Sequence, residues 1–195
     1  MNAKALAQKT GAVLGQLLAQ RVFGTRPVTL TGYSLGALAL FEALKYLAAL
    51  PPSQSAHLVQ DVYLFGLPAS TEAVTWASVR RVVAGRLVNG YCEQDYVLAI
   101  LSRASSGSWE VAGLGPVLVK GVENVDCKGV EGHLKWRGRI GQCLQDCGAP
   151  GINAAEVEKQ LEEVAKKIDA QVDLSEKEAE EVIEQGEEKQ LKKQM

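Results

Sequence analysis

Histidine is scarce in this sequence: His57 and His133 are the only two among 195 residues. Any chemistry that needs an imidazole base must draw on one of them. Long apolar runs are missing as well. No stretch approaches the roughly 18 uninterrupted apolar residues of a membrane span, and no secretory leader is expected at the start, where Lys4, Gln8, Lys9 and Gln16 are scattered through an amphipathic segment. The four cysteines, Cys92, Cys127, Cys143 and Cys147, lack paired CxxC or Cys/His spacing. That excludes a structural zinc site and leaves buried or free reduced thiols as the expectation. Net charge is only −2, which gives no footprint for nucleic acid or an anionic membrane surface. No internal repeat is present.

What is there is an ordinary globular composition, 47% hydrophobic and 23% charged, enough for a packed core. The charge is unevenly distributed. From Asn153 onward there are thirteen acidic and seven basic residues, so two parts are expected: residues 1–150 as a domain and 151–195 as an acidic helical or partly disordered tail. Val157, Leu161, Val164 and Ile168 give the tail a thin helical seam, and Ser175 with Glu178 fits a capping box for a second helix. Such a tail is either solvated or the docking face for a helical partner.

Before the tail, the pattern alternates. Residues 3–23 read as a surface helix with Leu6, Val13, Leu14, Leu17 and Leu18 at helical spacing. Residues 27–31 form a short β-prone run stopped by Gly32, and Leu35 to Leu50 is a helix apolar nearly all round. Strands are expected at 59–65, 86–91 and 122–125, with a further short pairing at 117–120. Helices are expected at 70–83 (apolar side Val74, Val79, Val82 and Val83), around 97–103, and from 134 to 145, with a glycine- and serine-rich loop over 104–116. Strand and helix in strict alternation imply a parallel sheet with helices on both faces, an α/β fold.

Residues 32–36 read Gly-Tyr-Ser-Leu-Gly. A Gly-x-Ser-x-Gly run alone is a weak signal, and Ser34 could be an ordinary serine in a glycine-punctuated turn. Its setting raises it: a strand leads in and a long helix leads out, as a nucleophile elbow requires. On that reading Gly32 and Gly36 are small to avoid neighbouring backbone. The Leu35 amide, at a helix start, faces a developing oxyanion with the helix dipole behind it. Serine needs a base. His57 comes too early for the chain order serine, acid, histidine; His133, in a glycine-flanked loop after the last strand, is the expected base, the alternative being a surface histidine. Asp95, four residues after the end of the 86–91 strand, is the expected acid, with Asp126 second. No cofactor and no metal enter this scheme.

The ordered blocks RPVTLTGYSLGA, VYLFGLPAS, VVAGRLVNGYCEQDYVL, RASSGSWEVAGLGPV and GVENVDCKGVEGHL resemble the DUF726 family of α/β-hydrolase-like proteins from about Thr10 to about Arg139. The resemblance implies a lipase- or esterase-like domain acting on an apolar or lipid-like ester, in a family of membrane proteins, with Ser34, Asp95 and His133 at the matching positions. It also implies that this chain is the C-terminal half of an α/β-hydrolase fold, since a complete one has about eight strands and the sequence offers four or five. The loop that normally supplies the second oxyanion donor is then outside it. The expectation is therefore a fragment of a larger membrane-associated serine hydrolase using Ser34, Asp95 and His133. The alternative is a catalytically inactive scaffold whose helical tail binds a partner.

Overall fold

In a computed structural model of the protein, residues 3–100, 110–130 and 133–166 are described. The chain divides into two compact units, Met1–Ala149 and Pro150–Met195. In chain order the first unit contains α1 (Ala3–Ala19), β1 (Val28–Tyr33), α2 (Ser34–Ala49), the single turn α3 (Pro52–Ser55), β2 (Val59–Phe65), α4 (Ala73–Arg80) and β3 (Leu87–Tyr91). A helical turn over residues 96–100 (α5) follows. Then come β4 (Val122–Asp126), a 3₁₀ turn (His133–Lys135) and α6 (Trp136–Asp146).

The four strands form one parallel sheet in the order β1-β2-β3-β4. This is the α/β fold expected from the alternation. β2 explains the register best. Val62 and Leu64 point into one apolar cluster, with Phe41, Leu44 and Leu47 of α2 and Trp76 and Val79 of α4. Tyr63 and Phe65 point into a second, with Trp136 and Cys143 of α6. Period-two alternation thus feeds a core on each face, which is why residues 62–65 form a continuous apolar run. β1 differs: Val28 and Leu30 pack inward, whereas Thr29, Thr31 and Tyr33 are exposed. α1 lies against α2 at close range. A Cβ on Gly11 would sit 2.4 Å from the Ala39 carbonyl oxygen, and one on Gly15 would sit 2.8 Å from the Tyr46 ring.

Several boundaries depart from the sequence expectation. α1 ends at Ala19, and Arg21 turns the chain with φ 55°. β1 does not stop at Gly32 but runs through it to Tyr33, pairing Gly32 with Leu64 and Tyr33 with Phe65. α4 is shorter than 70–83, and Val74 on it is 77% exposed while Trp76 is fully buried. The larger ring takes the inward position because it also stacks near Phe41 (centroids 4.8 Å apart) and donates its indole N–H to the Ser70 carbonyl at 2.8 Å. Residues 117–120 form no strand. Asn124 claims the Val117 backbone instead, accepting from its N–H at 2.7 Å and donating to its carbonyl at 2.9 Å, and Leu118 points outward at 88% exposure.

All four cysteines are free thiols, three of them buried. In the second unit, residues 154–166 are helical and open on Asn153, whose Oδ1 accepts the Ala155 N–H at 3.1 Å. Val157 is buried there, with Leu161 and Val164 half-buried, while most other positions on this helix are exposed. Ile168, the Ser175–Glu178 cap, and the loop and helix positions at 101–109 lie outside the described residues.

Candidate active site

Parallel strands send their C-terminal ends to one edge of the sheet, and that edge is where crevices form. Ser34, Asp95 and His133 all lie there. His57 does not: it precedes β2, at the opposite edge, in a turn with φ 58°.

Ser34 is the hinge between β1 and α2. Its φ of 52° puts a non-glycine residue in the left-handed region, at a cost of order 1–3 kcal/mol. Tight packing around the turn holds it there. A Cβ on Gly32 would meet Leu40 Cδ1 at 2.9 Å and the Gly36–Ala37 backbone at 3.0 Å, so the first glycine is sterically required. Gly36 is not: nothing lies within 4 Å of the corresponding position. The expectation that both glycines avoid a clash therefore holds for one only, because α2 carries the second out into open space. Leu35 stands in the first turn of α2, whose N-cap Tyr33 contributes no side-chain cap. Amides in that first turn have no intrahelical acceptor.

Asp95 follows β3 through a tight turn and is completely buried. It caps α5, its Oδ1 accepting the Leu98 N–H at 3.0 Å. Its Oδ2 lies 2.7 Å from His133 Nδ1 and accepts the Trp136 indole N–H at 2.8 Å. Burial pushes this carboxyl's pKa up. The hydrogen bonds from His133, Leu98 and Trp136 together outweigh burial and hold it below the ordinary aspartate value. The carboxylate is therefore ionised and accepts only. An acceptor at Nδ1 places a proton on that nitrogen, and in the neutral ring Nε2 then presents a lone pair. That nitrogen lies 2.5 Å from Ser34 Oγ. A lone pair there lets the serine hydroxyl donate.

The loop that delivers His133 is pinned at both ends. Cys127 N–H donates to the Tyr91 carbonyl at 2.8 Å, and Cys92 Sγ donates to the Val130 carbonyl at 3.2 Å. Val130 and Trp136 are fully buried on either side of the histidine. Asp126 ends β4 exposed, and its position on His133 is occupied by Asp95. Sequence reasoning did not single out Trp136 or the Leu98 amide. The available signal was a tryptophan three residues after the candidate base, whose N–H needs an acceptor once buried.

No solved structure matches the chain significantly. Among curated proteins it is 40% identical over 185 residues to an uncharacterized membrane protein of Schizosaccharomyces pombe, covering 92% of this chain and 31% of that protein. It is 36% identical over 168 residues to the "probable lipase MIL1" of Saccharomyces cerevisiae, covering 83% and 15%. It is 39% identical over 140 residues to the "transmembrane and coiled-coil domain-containing protein STS1" of Oryza sativa subsp. japonica, covering 71% and 21%. The chain thus spans about a third or less of the length of these relatives. Two of them are named as membrane or transmembrane proteins, while among the described residues here no helix is long and apolar enough to cross a membrane. Residues 1–149 match the family described as protein of unknown function DUF726, and the chain belongs to that family.

Proposed function

We propose that the chain is the serine-hydrolase part of a larger membrane-associated protein, cleaving apolar, lipid-like esters through Ser34, His133 and Asp95. One observation carries the reading: the unbroken series of hydrogen bonds from Ser34 Oγ to His133 Nε2 and from His133 Nδ1 to buried Asp95. In this mechanism Ser34 Oγ attacks the ester carbonyl while its proton passes to Nε2. The tetrahedral oxyanion is met by the Leu35 amide at the positive end of α2. As the C–O bond breaks, Nε2 returns the proton to the departing alcohol. Water then attacks the acyl carbonyl while Nε2 takes its proton, and Nε2 returns that proton to Ser34 Oγ as the C–Oγ bond breaks and the acid leaves. Asp95 keeps the imidazole in the required tautomer throughout and stabilises its transient positive charge.

The lipid-like substrate class is supported by a relative named as a probable lipase. Exposed apolar side chains next to the site agree with it: Tyr33 and Leu35 flank the serine, and Tyr96 and Ile100 follow the aspartate one and five residues on. The test is covalent labelling by a fluorophosphonate. Ser34→Ala should abolish labelling and His133→Ala should weaken it by about 10³ or more. Failure of a folded protein with its upstream sequence restored to label at Ser34 would falsify the proposal.

A further inference from the structure

We propose that Trp136 is a positioning residue for this site, fixing the Asp95 carboxylate through its indole N–H so that the carboxylate in turn fixes His133. The inference rests on the hydrolase reading given above and adds to it a residue that the serine–histidine–aspartate scheme does not contain.

Four observations carry it. First, Trp136 Nε1 and His133 Nδ1 share one oxygen, Asp95 Oδ2, at 2.8 Å and 2.7 Å, while Leu98 N–H holds the other oxygen at 3.0 Å. Three donors from three directions leave the carboxylate no free rotation about its χ2 bond, which is otherwise a soft torsion. Second, both partners are out of water: Trp136 and Asp95 are 0% exposed. A hydrogen bond to a charge in such a setting is among the stronger ones. Third, the indole has a space kept for it. Gly66, at the C-terminal end of β2 with φ 54°, would place a Cβ 2.7 Å from the indole nitrogen. Phe65 lies against the ring, with centroids 6.1 Å apart. Fourth, Trp136 opens α6 directly after the 3₁₀ turn that begins at His133. Burying the indole therefore also fixes where the imidazole backbone lies. Trp136 is fully buried and its indole N–H is directed to Asp95, so it acts through that carboxylate.

Trp136→Phe keeps an aromatic ring of similar shape and removes the donor. Two readouts apply, and the first needs no activity. Proton NMR of the 195-residue chain should show a far-downfield signal for the His133 Nδ1–H on Asp95. Assignment is simple because His57→Gln leaves one imidazole. In Trp136→Phe that proton should exchange with water several-fold faster, because the carboxylate regains its torsion. The second readout is the rate of Ser34 labelling, which should fall about tenfold, with urea unfolding still cooperative. With Trp136 retained, its indole N–H resonance should move on Asp95→Asn, a measurement that does not depend on the tryptophan variant folding. A folded Trp136→Phe protein with both the exchange rate and the labelling rate unchanged overturns the proposal. So does a slower labelling rate with an unchanged histidine signal, which would mean the ring only fills space. If the protein with its upstream sequence restored does not label at Ser34 but the histidine proton still responds to Trp136→Phe, the hydrolase reading fails and the hold on Asp95 stands.

Discussion

At the scale of single residues, the proposed site depends on one buried charge. Asp95→Asn should leave the fold in place and reduce fluorophosphonate labelling by about 10²–10⁴, because an amide can stabilise the wrong imidazole tautomer; intact-mass kinetics against wild type would check this. The same carboxylate makes stability depend on acid pH. Its folded pKa is depressed by its three donors, so its contribution is fully present above the unfolded value, about 3.9, and is lost as pH falls through the lower folded value. Urea midpoints should therefore drop as pH falls below about 4, and the drop should be shallower in Asp95→Asn. A midpoint that changes equally in both proteins would assign the acid sensitivity to other carboxylates. Ser34, Asp95 and His133 could be put forward from the sequence because chain order and residue type are one-dimensional properties. Trp136 was not, since its partner lies 41 positions away and only the packed sheet edge brings the two together.

Elements are held by contacts at their narrowest points. Gly11 and Gly15 let α1 approach α2 until backbone meets side chain. Gly11→Leu should cost about 1–3 kcal/mol by overpacking, read as a lower thermal midpoint, while a leucine at Gly36, where space is open, should be close to neutral for stability. On the next helix, Trp76→Ala should cost about 3–5 kcal/mol, since it empties a fully buried position and removes the donor on Ser70; Val74→Ala should cost little. These two substitutions separate Trp76, which the structure buries beside Val79, from Val74, the residue of the expected valine side that the structure leaves exposed. Periodicity weighs each apolar residue alike, whereas burial favours the side chain with most area and a satisfied polar atom.

At the scale of the whole chain, β1 is an edge strand of the sheet formed by the described residues. Its outward residues Thr29 and Thr31 are β-branched, exposed and uncharged, a combination that invites pairing with another strand. Thr29→Lys with Thr31→Lys should slow aggregation, followed by light scattering at fixed concentration, without changing the fold seen by circular dichroism. A faster rise in scattering would mean that association proceeds through another surface. The α/β class was legible at this scale because buried strands and helices differ in period. The irregular segments were harder. Residues 117–120 have strand-like composition, but the side chain of Asn124 takes up the backbone groups a ladder would need.

By itself the sequence determined the alternation of strands and helices, the turn that carries Ser34, and the order in which Asp95 and His133 follow it. All of these depend on neighbours along the chain. Tertiary structure decided which aspartate meets His133, which glycine of the serine turn is sterically required, and which tryptophan holds the carboxylate. Those outcomes depend on distances across the sheet edge and on competition for buried donors and acceptors, which no local pattern encodes.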